Sequence, residues 1–170
     1  MNPKGGNPQK IIDGLDHVLA HCQAEPHLCV ANLSIDNPGH SVNWKVRNKI
    51  EELVVSGITV VACAGNEYPN RDPPVISACK HTYGSSPKVI SVGSSNRKDQ
   101  TEGNYGPCIT VHAPGDEIWS AGTENPNQIV KMGGCSMATP RKFHYCCIIT
   151  QLVGCRSRSN ELPFAFCCSR

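Results

Sequence analysis

The chain has 170 residues, 16 Lys+Arg against 14 Asp+Glu for a formal charge of +2, and 39% hydrophobic residues. That is enough apolar material for one packed domain, which excludes wholesale disorder, and the near-neutral charge excludes a basic nucleic-acid footprint. No apolar run approaches the roughly 18–20 residues of a membrane helix. The start, Met1 to Gly6, lacks the apolar segment of a signal peptide. Yet there are 11 cysteines, which suits an oxidising compartment. The two facts are reconciled if the natural protein begins upstream of Met1.

The predicted elements alternate helix and strand. Residues 9–22 place Ile11, Ile12, Leu15, Val18, Leu19 and Cys22 on one helical face. Leu28–Ile35 reads as a short buried strand. Ser41 is the expected cap of a helix carrying Val42, Val46, Ile50, Leu53 and Val54, with Gly57 at its C-terminus. The β-branched run Ile58–Ala62 shows no polar alternation, so it reads as a strand buried on both faces. Residues 28–62 therefore form a right-handed strand–helix–strand unit. Further strands are expected at Lys88–Gly93 and Cys108–His112, separated by polar Gly- and Pro-rich loops. The fold class is α/β, a three-layer arrangement around a mostly parallel sheet.

The last thirty residues differ in composition. Residues 1–140 hold 11 basic and 13 acidic side chains and six cysteines; residues 141–170 hold five basic, one acidic and five cysteines. The chain divides into a body, 1–140, and a Cys-rich basic tail, 141–170.

The motif that carries chemistry is Gly133-Gly134-Cys135-Ser136-Met137-Ala138-Thr139-Pro140. It resembles the nucleophile motif of subtilisin-like serine peptidases, Gly-Thr-Ser-Met-Ala-Thr-Pro-His, with Cys135 in place of Thr and Arg141 in place of His. Other segments follow in that family's order. Val60 to Asn66 resembles the stretch ending in the oxyanion-hole Asn. Val30 to Ser34 resembles the substrate-binding edge strand, and Pro87 to Gly93 a core strand. Asn104 to Cys108 through His112 to Gly115 resembles a loop of the proteinase K branch. The resemblance covers residues 9–140, the C-terminal half of the usual catalytic domain, so the expected subtilisin-like fold is incomplete.

It implies a serine-type endopeptidase. Ser136 is the implied nucleophile, its backbone N–H helping to hold the oxyanion, and Asn66 supplies a side-chain donor. In subtilisin the loss of that Asn lowers kcat by about 10²–10³. Leu33, Ser34, Ala64 and Gly65 are the implied substrate-binding residues. Ser34 and its neighbours add an extended polypeptide as a strand, and Gly65 leaves room for its backbone. The family continues with Leu-Gly after this Ser, whereas this chain has Ile35 and Asp36, putting a carboxylate beside the specificity pocket. The resemblance also pairs Cys79 with Cys108. Cys22, Cys29 and Cys63 read as small buried thiols.

The family's catalytic Asp and His motifs precede the edge strand and are absent. His17, His21, His27, His40, His81, His112 and His144 read as structural rather than as a replacement base. Losing the His costs subtilisin about 2 × 10⁶ in kcat. The chain alone is therefore expected to be nearly inert, with an N-terminal segment or propeptide as an expected partner. A non-catalytic, peptide-binding pseudoprotease is the alternative. A third reading is a Cys-rich metal or redox module; His17, His21 and Cys22 offer a weak zinc face, and no metal site is assigned. Calcium is bound by many family members, but Thr110 stands where a carboxylate is expected, so no cofactor is carried over. By resemblance the protein is extracellular, with no nucleic-acid or membrane partner.

Overall fold

The computed structural model describes residues 7–24, 28–36, 41–152, 156–158 and 165–169. The first helix, α1 (Pro8–Ala24), buries Leu15, Val18 and Leu19. Strand β1 (Cys29–Leu33) follows, then α2 (Trp44–Val55) and β2 (Thr59–Cys63). The cap of α2 is Asn43 rather than Ser41. Its side-chain oxygen accepts from Val46 N at 3.2 Å while its own N–H donates to Thr82 Oγ1 at 3.0 Å. The helix thus starts two residues later than the apolar spacing suggests, because a tertiary contact selects the cap. Gly57, at φ +86°, closes it as expected.

Beyond β2 come β3 (Ile90–Ser95), the two-residue β4 (Thr101–Glu102) and β5 (Val111–Pro114). The expected strand at 108–112 is shifted toward the C-terminus, since Cys108 is held in the preceding loop by a disulfide to Cys79. Strands β6 (Ile118–Ala121) and β7 (Ile129–Met132) pair antiparallel as a separate two-stranded sheet. Helix α3 (Cys135–Leu152) then runs through the expected body–tail boundary at residue 140. The last strands are β8 (Arg156–Arg158) and β9 (Ala165–Ser169).

The main sheet has the order β4-β3-β2-β1-β9-β8, with β5 also on β3. The pairs β1–β2, β2–β3 and β3–β5 are parallel. Strand β9 runs antiparallel along Cys29–Ala31 on the outer edge of β1. One face of the sheet, through Cys29, Ala31, Leu33, Val60 and Ala62, packs on Val18, Val46, Ile50 and Leu53 of α1 and α2. The other, through Val30, Val61, Val92 and Ala113, packs on Ala138 and Phe143 of α3. This is the expected three-layer α/β architecture. It explains why β2, buried from Val60 to Cys63, lacks polar alternation.

Cys22, Cys29 and Cys63 depart from expectation. Cys22 is joined to Cys29, and Cys63 to Cys135. None of Cys22, Cys29 and Cys63 is a buried thiol, and Cys22 is not available for a zinc face. Each pair lies where two elements meet: α1 turning into β1, and the C-terminal end of β2 against the first turn of α3.

Candidate active site

Two chain segments meet at the C-terminal ends of the parallel strands, where open α/β sheets place their ligands. The first leaves β2 as Ala64-Gly65-Asn66; the second is the start of α3. Asn66 Oδ1 accepts the backbone N–H of Cys135 at 2.8 Å, so the Asn66 amide lies one residue from Ser136. Because that oxygen is committed, the Nδ2 side of the amide is fixed as the donor. The approach requires Gly134, at φ +125°: a Cβ there would stand 2.6 Å from Asn66 Oδ1. Ser136 is in the first turn of α3, whose N–H groups have no intrahelical acceptor. The Cys63–Cys135 disulfide closes the same junction, its Cα atoms 5.2 Å apart.

Gly65, at φ +104°, is equally constrained. A Cβ would stand 2.1 Å from Asn104 Nδ2. The room that glycine leaves is thus filled by the protein's own Asn104. That amide donates to Ala64 O at 3.0 Å and accepts from Ile76 N at 3.0 Å. The polar network holds Ala64 and Gly65 in place from behind. Ala64 and Leu33 are buried, and the Leu33 side chain belongs to the core. Ser34 follows the end of β1, its hydroxyl paired with the Asn32 amide at 2.9 Å. Cys79 and Cys108 are disulfide-bonded.

The sequence reading missed the part played by Asp36. Its Oδ2 accepts from Asn66 N at 2.9 Å, Asn66 Nδ2 at 2.9 Å and the Tyr68 hydroxyl at 2.7 Å. Its Oδ1 is 3.0 Å from His81 Nε2. The Asp36 side chain is only 10% exposed and that of His81 2%. Burial alone would raise the Asp36 pKa. The hydrogen bonds from His81 and Tyr68, the electrostatics of His81 and the Asn66 N–H outweigh it and hold the carboxyl below its usual 3.8. Burial and the facing carboxylate push the Tyr68 phenol well up. The signal in the sequence was Asp36 standing where the family has Gly.

Ser136 also lines an open groove of about 920 Å³, shared with His112, Trp119, Pro140, Lys142 and His144. Neither histidine is hydrogen-bonded to Ser136 among the described residues. Arg141 is exposed and Lys142 only half-buried, so the charges after the motif face this groove rather than a dry core. His17 and His21 are exposed on α1. His27 and His40 lie outside the described residues.

A model of the subtilase family matches residues 1–141. The chain belongs to the subtilase family. A subtilisin-like protease of Coccidioides posadasii is 31% identical over 141 residues, covering 80% of this chain and 33% of that protein. An extracellular serine proteinase of a Thermus species is 31% identical over 137 residues, covering 79% of this chain and 30% of that one. The solved structure of a cold-adapted subtilisin-like serine proteinase superposes with a TM-score of 0.72 at 24% identity, covering 88% of this chain and 50% of that one. This subtilase chain spans about a third of the length of the curated relatives it matches. No helix among the described residues is long and apolar enough to cross a membrane.

Proposed function

We propose that this chain carries the nucleophile and oxyanion half of a serine endopeptidase site. The observation that carries the reading is the bond from Cys135 N to Asn66 Oδ1, which sets a donor amide beside Ser136. Ser136 Oγ attacks a peptide carbonyl carbon. Its proton passes to a general base, and the new C–O bond yields a tetrahedral intermediate. The Ser136 N–H and Asn66 Nδ2 take the oxyanion. Collapse expels the amine, which receives the proton, and leaves an acyl-enzyme that water hydrolyses.

The base and its orienting carboxylate come from sequence outside this chain, so the chain alone is nearly inert. The substrate is an extended polypeptide lying along Ser34, with Leu33, Ala64 and Gly65 buried behind that path. The chemistry takes no cofactor. The family match ends at residue 141, where the composition changes, which supports a division into a peptidase body and a distinct tail. The extracellular relative and the three disulfides among the described residues support secretion.

A fluorophosphonate probe, which reacts only with an activated serine, tests the reading. Labelling at Ser136 is expected on an endogenous product well above 18.4 kDa that carries upstream Asp and His motifs, and none on the 18.4 kDa chain. Absence of label on such a longer product would overturn it, and label on the short chain would place the base among the chain's own 170 residues. A non-catalytic, peptide-binding role is the second reading. It is favoured by the bond between Asn66 Nδ2 and Asp36, which uses one of that amide's two hydrogens inside the protein.

A further inference from the structure

Three donors from two neighbouring residues converge on a single oxygen. The Asn66 N–H, the Asn66 side-chain amide and the Tyr68 hydroxyl all reach Asp36 Oδ2 between 2.7 and 2.9 Å, while His81 takes the other carboxylate oxygen. Such a set is a built anion pocket: fixed donors on rigid supports, with little water. The supports are independent of the anion. Asn66 is held through its oxygen by Cys135 N, and the preceding Gly65 and Ala64 are backed by Asn104. His81 sits at the end of a short 3-10 turn, Ala78–Lys80, beside the Cys79–Cys108 disulfide. The Asn66 side of the pocket is therefore held without Asp36, which fills the pocket in this chain.

Asp36 comes from the segment after β1 and Asn66 from the segment after β2, the two segments between which the substrate is proposed to lie. The carboxylate bridges them. It takes up one hydrogen of the Asn66 amide and places a negative charge beside the site where an oxyanion forms.

We propose that Asp36 is a specificity-determining residue, an internal carboxylate that occupies a preformed anion pocket between the two substrate-binding segments and closes the crevice to substrate groups. The inference rests on the peptidase reading for the name of the crevice, but not for the pocket. A substrate acyl oxygen is left only the second hydrogen of the Asn66 amide, beside a negative charge, and a bulky substrate side chain finds the crevice bridged. Emptied of Asp36, the pocket takes a small carboxylate from solution.

The test uses formate as the probe and the side-chain amide resonances of Asn66 in the isotope-labelled chain as the readout. The Asp36→Gly variant is expected to bind formate saturably, with shifts at Asn66, Tyr68 and His81 and an affinity on the order of tenfold or more above that of the unaltered chain. A folded Asp36→Gly variant with the Cys79–Cys108 disulfide intact and no formate response at Asn66 overturns the proposal. So does equal binding by the unaltered chain at the same residues.

Should the glycine variant fail to fold, Asp36→Asn keeps the shape and one acceptor while removing the charge. Its Asn66 side-chain amide hydrogens are then expected to exchange with solvent on the order of tenfold faster. Unchanged exchange overturns the proposal. A Ser136→Ala background is expected to leave every formate result as it was. A failed nucleophile is thereby told apart from a failed pocket.

Discussion

Asp36 gives the folded state an acid-sensitive contribution to stability. Its carboxyl is held below 3.8 in the folded protein, so it binds its proton more readily when the chain is unfolded. The contribution to stability is present above about 3.8 and is lost as pH falls through the lower folded value. Its hydrogen-bond partners are the His81 ring, the Tyr68 hydroxyl and the two Asn66 donors, and the Tyr83 phenol and the Cys63–Cys135 sulfurs lie near it. Urea unfolding is expected to show a midpoint that drops as pH is lowered from about 5 to below 3.8, and a shallower drop in Asp36→Asn. Parallel curves for the two proteins would place the acid sensitivity elsewhere.

Gly134 gives a second prediction at this scale. Replacing it with Ala sets a methyl against Asn66 Oδ1 on a backbone that L side chains rarely adopt. A loss of about 1–3 kcal/mol is expected in urea unfolding, with a displaced Asn66 amide signal. Asn66 and Ser136 were legible as a pair because each sits in a motif of fixed local spacing. The Asp36 cluster was not. Its donors stand 30, 32 and 45 residues away, and nothing in local pattern says which loops meet.

At the scale of elements, the parallel strands were legible for a physical reason. Strands covered by helices on both faces must be apolar throughout, and β2 reads that way directly. The hairpin β6–β7 was not legible. Trp119 is 64% exposed and Ile129 70%, so its apolar residues follow no buried face and carry no period. The start of α2 was misplaced because its cap is chosen by Thr82, far along the chain. The Cys79–Cys108 disulfide spans 29 residues and brackets β3 together with the loop that carries Asn104. Replacing both cysteines by serine is expected to lower stability by about 3–4 kcal/mol on the chain-entropy account, read as a shift in the urea midpoint. A shift of only a few tenths would mean that the loop is already ordered in the unfolded chain.

For the molecule as a whole, the exposed risk is the edge of the main sheet. Cys29–Ala31 of β1 are covered by β9, which is contributed by the tail. Ending the chain after Leu152 would leave that backbone unpaired, an invitation to pair with another copy. The shortened protein is expected to self-associate, seen as a rise in mass by light scattering. An unchanged mass would mean that β1 does not depend on β9 for cover. The tail thus stands apart in composition yet is joined to the body by this strand pairing and by the continuity of α3.

The Cys63–Cys135 bridge makes the polypeptide between those residues a closed ring, with the Cys79–Cys108 ring nested inside it. Asn66 lies just inside that ring and Ser136 just outside its far end. A single backbone cut anywhere from 64 to 134 therefore opens the ring without parting the molecule. The piece bearing Ser136 stays tethered by sulfur to β2, the strand that leads into Asn66. Proteins working among proteases are nicked at exposed turns, and in this chain a nick changes the number of chain ends but not the number of molecules.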